Sequence, residues 1–277
     1  MPRFATAVRQ EFPDFVEDFD AIESAAADWT QRLESAKGAV QRGQARAETI
    51  RHNNVELLVG IAVAGLAVRV QQLSAATVSL VNKHNPHAAP PVARALFESC
   101  CVPIYLQREL VPRLRKGRTN QVHKLVFRLS LGSIGIGEGA HIKPIAVDSL
   151  LRSARAELTA MVEGLPESER FDAAELIEIY YGPLTELTHP NWGAINLSTE
   201  LGFPPKFSLA TPFDGVTLHA VASASAYIMQ AGGRAFDALL ADLADTSMDL
   251  PNGDPRWERG EIRALADLTT PATNDEA

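Results

Sequence analysis

The sequence contains only two cysteines, Cys100 and Cys101, and they are adjacent. Neighbouring side chains on a helix point apart, so we expect no disulfide between them. The chain also lacks the dinucleotide fingerprint, the serine nucleophile elbow, the zinc signatures and the paired-carboxylate motif of common enzyme classes. We therefore expect neither cofactor nor metal, and free thiols are typical of a protein of the reducing cytoplasm.

Hydrophobic runs long enough for a membrane are also lacking. The most apolar run, VELLVGIAVAGLAV at residues 55–68, has about fourteen residues, whereas a span needs roughly twenty. It predicts a buried helix, and we expect no membrane partner. The N-terminal stretch has no basic region followed by an apolar core, so we expect a cytoplasmic location. The net charge of −8 argues against a surface built throughout for nucleic acid.

Strand signals are nearly absent, and apolar residues recur at spacings of three and four along most of the chain. We predict an all-α fold, a multi-helix bundle with long amphipathic helices. Residues 1–248 form a single domain, and residues 249–277 form a polar, partly disordered tail. The first helix, at about residues 12–40, packs within one subunit or forms a dimer arm. Its apolar seam comprises Phe12, Phe15, Phe19, Ile22, Ala26, Trp29 and Leu33.

Further helices are predicted from capping and breaking signals. Polar residues 38–54 continue the first helix only weakly, and a second helix follows at residues 55–83. Pro144 suits the first turn of another helix. After the His189-Pro190 pair we expect an irregular loop. Thr211 and Pro212 then predict the start of a last helix, with a stripe of Val216, Val221, Ile228, Phe236, Leu240 and Leu243.

One candidate site lies in residues 176–196, LIEIYYGPLTELTHPNWGAIN. Tyr181, Thr185 and His189 fall four residues apart and therefore share one face of a helix. Pro190 ends that helix, so His189 occupies the last turn, where the helix dipole favours a protonated imidazole. His189 either caps and packs, or it titrates as part of a site.

The partner segment is residues 90–110, PPVARALFESCCVPIYLQREL. Arg94, Glu98, Cys101 and Tyr105 share one face of an otherwise apolar helix. A charged pair there is costly to bury unless its members bond to each other or to a ligand. We predict a polar cleft lined by Arg94, Glu98, Tyr181, Thr185 and His189, with Glu98 and His189 as the acid and base pair if the protein is an enzyme.

These two segments carry a resemblance. The stretch ARALFE ending in IYL, followed some eighty residues later by THPN, resembles a broad group of uncharacterised bacterial all-helical proteins that are classified only as a domain of unknown function. The resemblance covers about the central half of the chain. It implies a helical fold and no particular activity.

A basic run follows residue 110, with Arg113, Arg115, Lys116, Arg118, Lys124 and Arg128. It is either a solvated helix end and loop or a phosphate-facing patch. Within it, RTNQVH at residues 118–123 is similar to the arginine, four residues, histidine motif of HEPN-domain ribonucleases. That resemblance implies metal-independent RNA cleavage, commonly across a dimer interface, with Arg118 holding phosphate and His123 moving the proton.

Two functions therefore remain open. The first is a binding or interaction module that takes a small polar or anionic ligand in the cleft and pairs as a homodimer. The second is a HEPN-like ribonuclease of toxin or defence type that acts on RNA. Whether the protein is an enzyme stays undecided by the sequence.

Overall fold

The computed structural model of the chain describes residues 1–50, 55–131, 145–163, 173–188, 199–200, 206–207 and 213–245. Helices account for nearly all of them, so the predicted all-α bundle is confirmed. The helices are α1 (Thr6–Glu11), α2 (Val16–Ile50), α3 (Val55–Asn82), α4 (Ala89–Glu109), α5 (Val111–Arg115), α6 (Thr119–Leu131), α7 (Val147–Glu163), α8 (Ala173–Thr188) and α9 (Gly215–Ala244), with a 3-10 turn at Pro13–Phe15.

Two helices form the centre of the bundle. Helix α9 packs against α2, α3, α4 and α8, and α4 packs against α3, α7, α8 and α9. The would-be Cβ of Gly232 on α9 lies only 2.6 Å from the carbonyl oxygen of Cys100 on α4. A glycine is therefore needed where these two helices approach.

The middle of the predicted seam is buried as expected, whereas Phe12, Phe15 and Leu33 are only partly buried, and Phe12 and Phe15 precede α2. Phe19, Ile22 and Trp29 are fully buried, and the Trp29 ring meets the edge of Phe236 with centroids 5.1 Å apart. The Trp29 Nε1 donates to the carbonyl oxygen of Met229 at 3.2 Å. The buried residues of α2 thus recur at the helical period of 3.6 residues, and the face they form packs against α9 of the same chain.

The end of that helix is where the sequence prediction was wrong. Helix α2 begins at Val16 and continues to Ile50 instead of fading near residue 40. At Gly43 the backbone of α2 comes so close to α3 that an added Cβ would lie 2.6 Å from the Cα of Leu57. Arg42 and Arg46 also pair with the buried Glu56 at 2.8 and 3.6 Å. Tertiary contacts with α3 thus hold a segment whose own helical pattern is weak.

The start of the last helix is also corrected. Asp214 is the N-cap, accepting the amide of Thr217 at 2.6 Å, and the helix begins at Gly215. Thr211 and Pro212 therefore do not start it, and both lie outside the described residues. Val216 is 74% exposed because it falls in the first turn on the outer face, so it does not belong to the core stripe. An aspartate at the cap outweighs the cap signal of Thr211 three residues earlier.

Two short strands add a feature that the helical patterns did not suggest. Thr199–Glu200 (β1) pairs antiparallel with Lys206–Phe207 (β2), within the predicted irregular loop. The basic run is divided between two helices and the turn that joins them: Arg113 and Arg115 lie on α5, Lys116 and Arg118 lie in the turn, and Lys124 and Arg128 lie on α6. Pro144, Pro190 and the tail at residues 249–277 lie outside the described residues.

Helix α3 begins at Val55 as predicted and ends one residue before the predicted residue 83. It is the one helix in the described ranges that is long and apolar enough to cross a membrane by length and composition. It packs along α2 and α4, and residues such as Val59, Val63 and Val70 are buried. Those contacts are the ones expected of a core helix in a bundle.

Candidate functional site

Three of the predicted site residues meet between α4 and α8. The Arg94 Nε donates to Glu98 Oε1 at 3.0 Å and to the Tyr181 hydroxyl at 3.1 Å. The Tyr181 hydroxyl donates in turn to Glu98 Oε1 at 2.6 Å. We call Arg94, Glu98 and Tyr181 the triad. It joins residues that lie more than eighty positions apart in the sequence.

Local sequence explains how the triad is positioned. Arg94 and Glu98 are four residues apart on α4, so they stand one turn apart on the same face. On α8, Tyr181 packs its ring 5.4 Å from that of Phe97, and the Arg94 guanidinium lies 5.4 Å from the Tyr181 ring centroid. The aromatic contact and the cation–π contact together fix the phenol between the two charged groups.

The electrostatics keep Tyr181 protonated. Burial, followed by the hydrogen bond to Glu98 and its negative charge, raises the pKa of Tyr181 to about 12. Burial lowers the pKa of Arg94, but its hydrogen bonds to Glu98 and Tyr181 outweigh this, so the pKa of Arg94 is raised. At neutral pH the triad therefore consists of a guanidinium, a carboxylate and a neutral phenol that donates.

The second oxygen of Glu98 is the notable group of the site. Both Arg94 and Tyr181 use Oε1, while Oε2 accepts no hydrogen bond from any residue in the described ranges. The Glu98 side chain is 28% exposed and that of Arg94 is 23% exposed, whereas Tyr181 is buried. The triad thus presents a carboxylate oxygen of fixed position at the surface of the bundle, and none of the described residues donates a hydrogen bond to it.

The remaining predicted cleft residues have different outcomes. The Thr185 hydroxyl donates to the carbonyl oxygen of Tyr181 at 3.0 Å, the backbone bond common for threonine in helices, and it does not join the triad. His189 lies outside the described residues, which end at Thr188 on α8. Cys101 and Tyr105, placed on the same face by spacing, are buried in the core. Cys100 and Cys101 are both free thiols, as expected.

The alternative site at residues 118–123 lies at the α5–α6 corner. Arg118 is exposed and precedes the first residue of α6, and its carbonyl oxygen accepts the amides of Gln121 and Val122. His123 belongs to α6, but its side chain lies outside what the structure describes. Two members of the basic run are paired within the chain, Arg113 with Glu109 and Arg115 with Asp242.

A polar cluster that sequence reasoning missed joins α2 and α9. The Ser223 hydroxyl donates to Asp18 Oδ2 at 2.6 Å and lies 3.1 Å from His219 Nδ1, while Tyr180 stacks on Tyr227 with centroids 5.4 Å apart. Since the serine proton points to the carboxylate, Ser223 bridges the two groups and is not activated as a nucleophile. In the sequence, the four-residue spacing of His219 and Ser223 was the pattern that could have indicated part of this cluster.

The described residues contain no cluster of three or more histidine, cysteine, aspartate or glutamate side chains arranged to hold a metal ion. Fold and site together define the class of protein as an all-α helical bundle with a hydrogen-bonded arginine, glutamate and tyrosine on one flank. No protein-family model, curated protein or solved structure matches the chain. Any function therefore has to be argued from the geometry of the site.

Proposed function

We propose that the protein is a binding module whose triad takes a small polar ligand through Glu98 Oε2. The observation that supports this proposal is that the two carboxylate oxygens of Glu98 differ in their hydrogen bonds. Oε1 receives both internal donors, and Oε2 accepts none in the described part of the chain. A partly exposed carboxylate oxygen fixed in this way is preorganised for a donor on a ligand.

Charge favours a ligand that carries a donor over a purely anionic one. The Arg94 and Glu98 charges compensate each other at 3.0 Å, so the triad has no net charge. An ammonium, amide or hydroxyl group of a ligand gains a charge-assisted hydrogen bond at Glu98. A carboxylate ligand would instead compete with Glu98 for Arg94, which is already bound. Of the two kinds of ligand that the sequence suggested, the polar one is therefore better supported than the anionic one.

The experiment compares small probes that carry different polar groups. Ethanolamine, acetamide, glycerol and acetate are titrated into the protein and followed by calorimetry and by the shift in melting temperature. Donor-bearing probes are expected to bind, and Glu98→Gln is expected to weaken them about tenfold, since a hydrogen bond to a charged group is worth roughly 1.5 kcal/mol or more. Glu17→Gln, on the exposed face of α2, is the matched control.

Glutamine at 98 keeps an acceptor for Tyr181 and Arg94, so the fold should be retained and circular dichroism checks this. Equal binding by the Glu98→Gln variant, or binding by acetate alone, would refute the proposal.

A second candidate function is RNA cleavage at Arg118 and His123, supported by the exposure of Lys116, Arg118 and Lys124 at the α5–α6 corner. Purified protein is incubated with RNA in the presence of a chelator, and sedimentation is recorded because the ribonuclease family that the motif resembles commonly acts across a dimer interface. Cleavage by the native protein and its loss in both Arg118→Ala and His123→Ala are expected under this reading. Cleavage that survives in either variant would dismiss it.

A further inference from the structure

Four aromatic side chains meet where the 3-10 turn, α8 and α9 come together. Tyr180 on α8 stacks on Tyr227 with centroids 5.4 Å apart, and its ring lies 6.0 Å from that of His219. Phe15 of the 3-10 turn lies 6.4 Å from His219, with the two ring planes inclined by 58°. We call Phe15, Tyr180, His219 and Tyr227 the aromatic cluster. It is separate from the triad, because neighbouring side chains such as Tyr180 and Tyr181 point about 100° apart on a helix.

The aromatic cluster is open to solvent. His219 is exposed, and Phe15, Tyr180 and Tyr227 are half-buried, with one part of each ring packed on the core. Burial raises the pKa of Tyr180 and of Tyr227, so both phenols are neutral at neutral pH. The face of a neutral aromatic ring carries partial negative charge. Adjacent rings of this kind attract a cation.

Asp18 on α2 supplies a full negative charge beside the cluster. Its Oδ2 accepts the Ser223 hydroxyl at 2.6 Å, and the same hydroxyl lies 3.1 Å from His219 Nδ1. The carboxylate and the imidazole are therefore two short contacts apart. After burial and Tyr227, the charge of Asp18 is the third cause of the raised pKa of Tyr180, so the carboxylate is also close to that ring.

Asp18 is a half-buried carboxylate that forms no ion pair with any residue the structure describes. The next acids along α2 differ in this respect, since Asp20 and Glu23 both bind Arg9, at 2.7 and 2.8 Å. A partly desolvated charge is costly unless an opposite charge compensates it. A cationic ligand would provide that compensation.

The two ends of the aromatic cluster differ in charge. Burial raises the pKa of Tyr227, and the positive charge of Arg234 opposes this rise, so a cation of the protein already acts on that ring. The charge that acts on Tyr180 is that of Asp18 instead. An added cation is therefore favoured at the end formed by Tyr180 and His219.

We propose that Asp18 and the aromatic cluster bind a trimethylammonium group, the cation of choline and its derivatives. This group has no N–H donor and is weakly hydrated, so aromatic faces replace its water at little cost. The Asp18 carboxylate compensates the charge without giving up its hydrogen bond to Ser223. The site is independent of the triad and of the function proposed for it.

The test compares choline with 3,3-dimethylbutan-1-ol, an uncharged isostere that has the same shape and the same hydroxyl. Each is titrated into the full chain at pH 8 and low ionic strength and is followed by NMR of the ligand. Choline is expected to bind at least about tenfold more tightly than the isostere. Its methyl protons are expected to shift upfield, because they lie over aromatic rings. Equal binding by the two compounds would overturn the proposal.

Variants separate the contributions of charge and ring. Asp18→Asn keeps an acceptor for Ser223 and removes the charge, so it is expected to weaken choline about tenfold and to leave the isostere unchanged. Tyr180→Phe keeps the ring and should bind choline as the native protein does. Tyr180→Leu should weaken choline about fivefold and reduce the upfield shift. Circular dichroism checks that each variant is folded.

Asp14→Asn is the matched control, because it removes an exposed carboxylate from the neighbouring 3-10 turn and should leave choline binding unchanged. Vesicles of phosphatidylcholine carry the same cation on a lipid headgroup. Choline binding without sedimentation of the protein on these vesicles assigns the site to a free small molecule, and binding with it assigns the site to the headgroup. Choline affinity that is unchanged by Asp18→Asn, or reduced equally by Asp14→Asn, would overturn the proposal.

Discussion

Removal of the Tyr181 hydroxyl is the perturbation that the triad predicts most sharply. Tyr181→Phe keeps the ring contact with Phe97 but deletes a 2.6 Å hydrogen bond to Glu98 and a 3.1 Å hydrogen bond from Arg94. Hydrogen bonds to charged groups contribute roughly 1.5 to 3 kcal/mol. Arg94 and Glu98 are about one quarter exposed, and they remain bonded to each other, which places the effect at the lower end.

We therefore expect Tyr181→Phe to lower the free energy of unfolding by about 1.5 kcal/mol, measured by urea denaturation at neutral pH. The coupling is tested by Glu98→Ala, which removes the acceptor that glutamine would keep, alone and in combination with Tyr181→Phe. Because Tyr181 and Glu98 share one hydrogen bond, the double variant should lose less than the sum of the single variants, by about 1 kcal/mol. Strict additivity of the two changes would show that the hydroxyl and the carboxylate do not interact, and the triad would have to be abandoned.

The remaining predictions concern helix contact, protonation and thiol burial. Gly232→Ala should destabilise the protein by about 1 to 3 kcal/mol because its Cβ meets the backbone of Cys100. In Gly65→Ala on α3 the added Cβ has no atom within 4 Å, so this variant should stabilise the protein by about 0.5 to 1 kcal/mol. The free energy of unfolding of both variants is measured by urea denaturation, and changes of the same sign would contradict the predicted difference in packing. Ultraviolet titration should show Tyr181 ionising at a pKa of about 12, above its usual value near 10, and Tyr181→Phe should remove that transition. Since the raised pKa favours the neutral phenol in the folded state, its stabilisation is complete below about pH 10 and is lost as pH rises through about 12. Burial raises the pKa of Cys100 and Cys101, so a thiol reagent should modify neither until the chain unfolds, and rapid labelling of the native protein would contradict their placement in the core.

Helical periodicity was enough to predict the class of fold and several helices. The seam through Phe19, Ile22 and Trp29 follows from spacing alone, and the start of α3 at Val55 follows from the capping signals that precede it. The end of α2 was not predictable in this way. Its last turns depend on the approach to α3 at Gly43, which is a contact between helices and leaves no periodic signal in either.

The triad was partly predictable for the same reason. The spacing of Arg94 and Glu98 indicates a pair on one face, and an apolar helix makes that pair unusual. Spacing also put Thr185 into the cleft, but its hydroxyl found a nearer acceptor in its own helix. A hydroxyl side chain on a helix can donate either to a backbone carbonyl of its own helix or to a group in a neighbouring site, and sequence patterns do not show which acceptor it uses.

Contacts across some two hundred residues were beyond sequence reasoning. Asp18 on α2 accepts a hydrogen bond at 2.6 Å from Ser223 on α9, and no sequence pattern links the two residues. Arg32 likewise binds Asp237 on α9, which only the packing of α2 against α9 explains. Without the pairing of α2 with α9, neither the Asp18–Ser223 hydrogen bond nor the Arg32–Asp237 ion pair could be anticipated.

The proposed binding function requires that Glu98 Oε2 accept a hydrogen bond from a ligand, and the side-chain carboxyl carbon of Glu98 reports on this contact directly. Glutamate labelled with ¹³C at the carboxyl position gives one NMR resonance per glutamate, and the one missing from Glu98→Gln is that of Glu98. Titration with ethanolamine is predicted to shift this resonance while that of Glu17 stays unchanged. A Glu98 resonance that does not move as ethanolamine is added would contradict the account.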